Sequence, residues 1–514
     1  MIQLRSYQIE GLKMLQEAIL GGYTSILWVY PTGAGKSTVA SAYVKHCVNK
    51  GQRVLFAVHS KELVNQFADR LWDQFAVSSG IVMAGVKPDY SAPVQCCSVM
   101  SLVKRFEKLS DNGFVPDVVI IDEAHRSKAN TYQKILEVYP NAITIGLTAT
   151  PERADGRGLD HFQKIVHPVK TGYLISQGHL VPTKIFRPET LVDLTGVGTR
   201  AGDFDTGQAF ERFNDKGNYH GVVNMYLKLA KGKKAICFNT NVEHSQTMNQ
   251  YFNDAGIVSL HIDGKTKKKE RERSLQMFRD GDVQLLNNVG VYTEGLDVPD
   301  IEVLILNLAT KSPTRYVQMA GRVLRPWTYP DGSKKEVGLI LDFGGNGERH
   351  GYVEDYDIIP FTLEGRKKLS ITGEAEKLKS CPECMCMNYA NASTCSECGH
   401  LFVAKEVEVK ISDTKSMVLL EREAALISKL QSITDHKKAS VLPIQYLRLY
   451  GMLHEYKKGW ACYAAIKQSH LYAPKDDKGN FITSEFPYSQ VDFLIKMEEL
   501  IHGTDRFIER VFGN

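Results

Sequence analysis

No apolar run in this chain approaches the roughly eighteen residues that a membrane-spanning helix needs. The opening MIQLRSYQIEGLKML scatters charges where an apolar h-region would lie, so it does not read as a secretory signal. No solenoid-type repeat and no low-complexity tract is present. Charge of one sign is not in excess: 63 Lys and Arg stand against 59 Asp and Glu, a net +4. That mild basic lean permits a nucleic-acid partner without requiring one. The spread of cysteines found in disulfide frameworks is also missing. Five of the ten crowd between Cys381 and Cys398, while Cys47, Cys96, Cys97, Cys237 and Cys462 are scattered. An intracellular chain with reduced thiols and one metal site fits this pattern, and the expected location is cytoplasmic, with no membrane partner.

What is present is ordinary globular material. At 43% hydrophobic and 24% charged, the 514 residues can fill three or four cores at about 100–200 residues per domain. Short apolar strands alternate with amphipathic stretches over the first 345 residues or so. Strands are expected at 25–30, 54–59, 118–122 and 143–148, then at 235–239, 283–288, 303–308 and 338–343. Runs such as KELVNQFADRLWDQF and KERERSLQMFRDG lie between them as helices. Strands spaced by helices imply right-handed crossovers and parallel sheets, so the fold class is α/β. Eight strands are many for one sheet, and TGVGTRAGDFDTG (195–207) is a joint between two.

Chemistry concentrates in two places. The strand SILWVY is followed by PTGAGKST, with Pro31, Thr32, Gly33, Ala34 and Gly35 in the turn and Lys36, Ser37 and Thr38 opening a helix. Glycines let backbone N–H groups face a phosphate, and the helix N-terminus adds partial positive charge. Lys36 would reach the β- and γ-phosphates and Ser37 would hold Mg²⁺. The strict P-loop pattern has glycine where this chain has Tyr30. Further on, VVIIDEAH ends a strand on Asp122 and Glu123. Asp122 suits Mg²⁺, and Glu123 can take a proton from attacking water. P-loop and paired acids together read as an NTPase.

These motifs resemble those of superfamily 2 helicases. Asp122-Glu123-Ala124-His125 is similar to their DEAH form of the Walker B motif. LRSYQ (4–8) resembles their adenine-contacting element, which implies Arg5 and Gln8 at the base. FAVHSKELVNQF resembles motif Ia, GLTATPER motif III, ICFNTNVEHSQ motif IV, NNVGVYTEGLDVP motif V and QMAGRVLRP motif VI. The resemblance implies that Gly295 and Asp297 border the nucleotide, that His125 and Gln318 belong to the catalytic set, and that Arg322 and Arg325 reach across a cleft to the γ-phosphate. Thr148, Thr150, Thr293, Gly295 and Asp297 would couple the ATP site to the strand-binding face. ILDFGGNGERHG, the cysteine cluster and KKGWACYAAIKQ resemble RadD helicases of bacteria and their phage relatives. The location implied is then bacterial, or the host cytoplasm if phage-encoded.

The domains expected are a RecA-like ATP-binding domain over 1–190, a linker over 191–215 and a second RecA-like domain over 216–375. A four-cysteine zinc ribbon over 376–403 and a mainly helical recognition domain over 404–514 follow. Cys381-x₂-Cys384 and Cys395-x₂-Cys398 present two thiolate pairs, the set that tetrahedral Zn²⁺ takes. Cys386 and His400 lie nearby, and Cys384-x-Cys386 leaves a second register open. The run KTKKKERER (265–273) reads as a solvated helix, and YLRLYGMLHEYKKGW (446–460) as either a nucleic-acid surface or a helical core. The function expected is an ATP-dependent DNA helicase or translocase in repair, recombination or replication, on single-stranded, forked or branched DNA. Single-strand-binding or recombination proteins are the expected protein partners. The alternatives are a DNA-stimulated ATPase that remodels branched DNA or nucleoprotein, and an RNA helicase.

Overall fold

The computed structural model describes residues 3–402, apart from 59, 127–129, 154–157, 294, 359 and 365–377. The helical region expected over 404–514, with Cys462 and the stretch 446–460, lies outside the described residues. Among the described residues no helix is long and apolar enough to cross a membrane.

Two parallel sheets carry the chain. The first holds β1 (Ser25–Val29), β2 (Val54–Val58), β3 (Ser79–Val82), β4 (Val94–Ser98), β5 (Val118–Asp122), β6 (Ile143–Thr148) and β7 (Lys164–Val166). Their spatial order is β3-β4-β2-β5-β6-β1-β7. The second is built from β8 (Thr183–Phe186), β11 (Ala235–Asn239), β12 (Ser259–Ile262), β13 (Leu285–Asn288), β14 (Val303–Asn307) and β15 (Gly338–Asp342), in the order β12-β13-β11-β14-β15-β8. Between β8 and β11, β9 (Thr199–Arg200) and β10 (Asp203–Phe204) make a small hairpin. Strands β2, β4, β5, β11, β14 and β15 are buried at every position, as parallel strands covered on both faces must be. Trp28, Phe56, Phe238 and Phe252 fill the interiors, each contributing about 2–3 kcal/mol through burial.

All eight expected strands are present, within two residues at their ends. The chain crosses to the second sheet earlier than the expected boundary at 190, because β8 pairs in parallel with β15 at its edge. Segment 191–215, expected as a linker, carries the hairpin and the helix Thr206–Phe213. Asp203 anchors the hairpin to the second sheet, accepting from Thr310 Oγ1 at 2.7 Å and from Lys311 N at 2.6 Å, and pairing with Arg315. KTKKKERER begins the helix Lys268–Asp280, whose outer face is exposed.

Lys335 returns from a turn with its N–H on Trp327 O, only 5% exposed, and its Nζ donates to Ile301 O at 2.5 Å. Burial pulls its ammonium down to about 7, against an upward pull from Glu302 and with a further downward push from Arg325. The unfolded chain, with its lysine near 10.5, then binds more protons at alkaline pH than the folded one, so stability rises with pH from about 7 toward 10. Chemical denaturation at stepped pH should show the wild type gaining up to about 1.4 kcal/mol per unit relative to Lys335→Met over that window. Parallel curves would mean that Lys335 keeps its proton.

Candidate active site

Three strand ends build half of the site. β1 stops at Val29, and the turn 31–35 leads into the helix Lys36–Asn49. Gly33 and Gly35 are left-handed, with φ of 86° and 81°, which curves the backbone around the helix N-terminus. Tyr30 does not fill that space. Its ring packs edge-on to Trp28 at 5.4 Å, and its hydroxyl sits over Gly11, where a Cβ would come within 1.8 Å. The departure from the glycine pattern therefore leaves the cradle open.

β5 ends on Asp122, and Glu123 also takes a left-handed backbone (φ 52°). Lys36 Nζ lies 2.8 Å from Glu123 Oε1 and 3.2 Å from Asp122 Oδ1. Burial alone would lower the Lys36 ammonium, but the two carboxylates outweigh it and hold it above its ordinary value. His125 Nδ1 is 3.3 Å from Glu123 Oε2 and 3.4 Å from Thr148 Oγ1 at the end of β6. Thr148 Oγ1 accepts from Thr150 N at 3.0 Å and donates to Thr150 O at 2.9 Å.

The second sheet supplies the facing wall. Ser312 caps the helix Pro313–Ala320, accepting from Arg315 N at 3.3 Å, and Pro313 suits its first position. Gln318 on this helix brings Nε2 to 3.5 Å from Glu123 Oε2. Just beyond it, Arg322 donates to the carbonyls of Leu296, at 2.9 Å, and Thr293. Arg325 Nη1 pairs with Asp297 Oδ1 at 2.6 Å. Gly321 faces Thr32 so closely that a Cβ would lie 2.1 Å from its methyl group, so the two halves are in contact here.

Between the halves is a cleft of about 340 Å³. Pro31, Thr32, Gly33, Gly35, Lys36, Ser37, Thr38, Asp122 and Glu123 line it from the first sheet, and Gly295, Asp297, Gln318, Arg322 and Arg325 from the second. Four expected residues stand behind it. Ala34 is buried, its carbonyl accepting from Tyr7 Oη at 2.9 Å and Gln8 Nε2 at 3.3 Å. Gln8 Oε1 accepts from Arg5 N at 3.0 Å, and His125 sits beneath Glu123. Sequence reasoning missed Leu63, Gln66, Phe67 and Arg70 of the helix Lys61–Phe75, which also line the cleft. Their spacing of three to four residues marks one helical face, and Arg70 brings another cation near Arg325.

Known proteins share this plan. Residues 1–153 match the model for the type III restriction enzyme res subunit, and residues 218–326 that for the helicase conserved C-terminal domain. A 51.5 kDa protein of a Lactococcus phage (isolate 7-9) is 32% identical over 413 residues, 80% of this chain and 85% of that one. The chain belongs to superfamily 2 of the helicases. A Saccharomyces cerevisiae relative, named as an ATP-dependent helicase, IRC3, is 31% identical over 341 residues, 63% of this chain and 49% of the yeast protein. The DNA 3'-5' translocase XPB2 of Sulfurisphaera tokodaii is 26% identical over 363 residues, 63% of this chain and 79% of its own. The two sheets are thus the RecA-like domains of an ATP-hydrolysing helicase, which implies ATP and Mg²⁺ at the cleft.

The helicase has a second built site. Strands β16 (Leu378–Ser380) and β17 (Met387–Tyr389) form an antiparallel ribbon beside which the sulfurs of Cys381, Cys384, Cys395 and Cys398 lie within 4.8 Å of one another. Cys381 and Cys398, and Cys384 and Cys395, are 3.6 Å apart. A tetrahedral ion with Zn–S bonds of about 2.3 Å sets its sulfurs about 3.8 Å apart, so the group fits Zn²⁺. Glu397 N and Asn388 Nδ2 donate to Cys395 Sγ, bonds that favour a thiolate. Cys386 is outside the cluster, its thiol on Met387 O, and His400 lies by Glu383, so the second register is not the one built. Elemental analysis should find one zinc per chain, and Cys381→Ser should lose it together with thermal stability. Full zinc content in that variant would contradict a four-cysteine centre.

Proposed function

We propose that this is a RadD-like, DEAH-type DNA helicase or translocase, in which hydrolysis of ATP between two domains drives movement on, or unwinding of, DNA during repair, recombination or replication. The observation that carries the reading is the cleft: a P-loop and paired acids on one sheet face Gln318, Arg322 and Arg325 from the other. Lys36 binds the β- and γ-phosphates, Ser37 and Asp122 hold Mg²⁺, and Glu123 accepts the proton of attacking water. When bound, Mg²⁺ neutralises phosphate charge. Arg5 and Gln8 brace the P-loop from the adenine side, while Gly295 and Asp297 border the nucleotide.

Three ion pairs hold two cations of the cleft. Lys36 is held by Asp122 and Glu123, and Arg325 by Asp297. Phosphate drawn into the cleft competes for both cations, which frees Glu123 to act as a base and Arg325 to act as a finger. Arg322, fixed on main-chain carbonyls, positions the loop that carries Asp297. Because the finger arrives from the second domain, turnover requires closure, and a strand lying across both domains moves with it. The restriction-enzyme model over residues 1–153 and the translocase name of the XPB2 relative support DNA as the polymer. They equally favour a second reading, DNA-stimulated remodelling without strand separation.

Lys36→Ala and Glu123→Gln should abolish ATP turnover while DNA binding persists. Arg325→Ala should retain ATP binding and lose at least about 100-fold in kcat. ATPase assays with single-stranded, duplex, forked and RNA ligands test the substrate. Stimulation by RNA alone, or unchanged turnover in Arg325→Ala, would refute the reading.

A further inference from the structure

Residues 352–357, YVEDYD, follow the second sheet and bind three bodies at once. Toward the cysteine ribbon, Tyr352 Oη donates to Met387 O at 2.6 Å and Tyr389 Oη donates to Asp355 Oδ2 at 2.8 Å. The Tyr352 and Tyr389 rings lie 5.1 Å apart. Toward the second sheet, the Glu354 carboxylate accepts from Thr183 N and Oγ1 at the start of β8. Toward the first domain, Asp357 Oδ2 accepts from Thr171 N and Oγ1, both at 2.7 Å. Tyr356, between them, donates to Glu152 Oε1 at 2.5 Å.

Glu152 lies four residues past the end of β6 and is only 3% exposed. Its backbone carbonyl accepts from Thr314 Oγ1 at 3.2 Å, on the helix that carries Gln318. The same loop runs back through Thr150, Thr148 and His125 to Glu123. One connected path therefore joins the carboxylate at the ATP cleft to the cysteine ribbon, and Tyr356 is where it crosses from one domain to the other. A buried carboxylate holding a phenol across a domain boundary is more than packing, since it fixes the loop after β6 relative to residues 352–357.

We propose that Tyr356 is a positioning residue that registers the loop after β6 to the cysteine ribbon, so that cleft closure and displacement of the ribbon are one motion. The proposal rests on the nucleic-acid motor reading above. In it, the ribbon reports to the ATP site whether polymer is engaged, and the Tyr356–Glu152 bond transmits the report.

The test uses the full-length protein and four forms: wild type, Tyr356→Phe, Tyr389→Phe and the double variant. Tyr356→Phe keeps the ring and removes only the hydroxyl. Its basal ATPase and its KM for ATP should stay within about twofold of wild type, while DNA-stimulated kcat falls about fivefold or more. Tyr389→Phe, which leaves the Tyr352–Met387 bond to the ribbon in place, should lower stimulation no further than Tyr356→Phe does, and the double variant should be no worse than Tyr356→Phe alone. Wild-type stimulation in Tyr356→Phe would overturn the proposal, as would an equal fall in basal and stimulated rates. Losses that multiply in the double variant would also overturn it. A wild-type enzyme that no nucleic acid stimulates would instead refute the motor reading, and this proposal with it.

Discussion

Everything in this structure is arranged around cations held in a cleft that belongs to neither domain alone. Among the described residues, Lys36, Arg70, Arg322 and Arg325 line it against Asp122, Glu123 and Asp297. Lys36 is held by two of these carboxylates and Arg325 by the third, while Arg322 is fixed on main-chain carbonyls. Such pairs gain little net energy against the cost of desolvation, but they keep buried charges satisfied until a better anion arrives. A polyphosphate is that anion. In the proposed motor, exchange of partners, rather than creation of new charges, couples binding to readiness for hydrolysis.

The fold serves this exchange through strand ends. The P-loop follows β1, Asp122 closes β5 and Thr148 closes β6, all at the carboxyl edge of the first sheet. The second sheet presents the segment carrying Asp297 and the helix Pro313–Ala320 to that edge. Contacts between the domains extend beyond the cleft: Glu62 pairs with Arg271 at 3.4 Å, and Leu63 lies against Gly295. The helix Lys61–Phe75 is thus a contact surface between the domains as well as a wall of the site.

Much of this was legible in the sequence, where chemistry is local. PTGAGKST and VVIIDEAH each bring their functional residues together within one strand and turn, so they can be read without knowing the fold. The cysteine pairs are equally local. What escaped was non-local or muted. β3 and β4 are short and read SGIV and VQCCS, β12 reads SLHI, and none has the apolar density of β5. β8 is recognisable as part of the second sheet only through its pairing with residues more than 150 positions away. In sequence, Arg70 is one charge on an amphipathic run, and YVEDYD carries no chemical motif. Their roles come from what they meet across the chain, and no short window contains that.

In the proposed motor an arginine from the second domain completes the ATP site. The most direct test is a structure with ADP, Mg²⁺ and aluminium fluoride in the presence of single-stranded DNA. There Arg325 should leave Asp297 and place its guanidinium about 3 Å from the fluoride, with Lys36 withdrawn from Glu123. A fully loaded site in which Arg325 still pairs with Asp297, and only first-domain groups touch the fluoride, would contradict it.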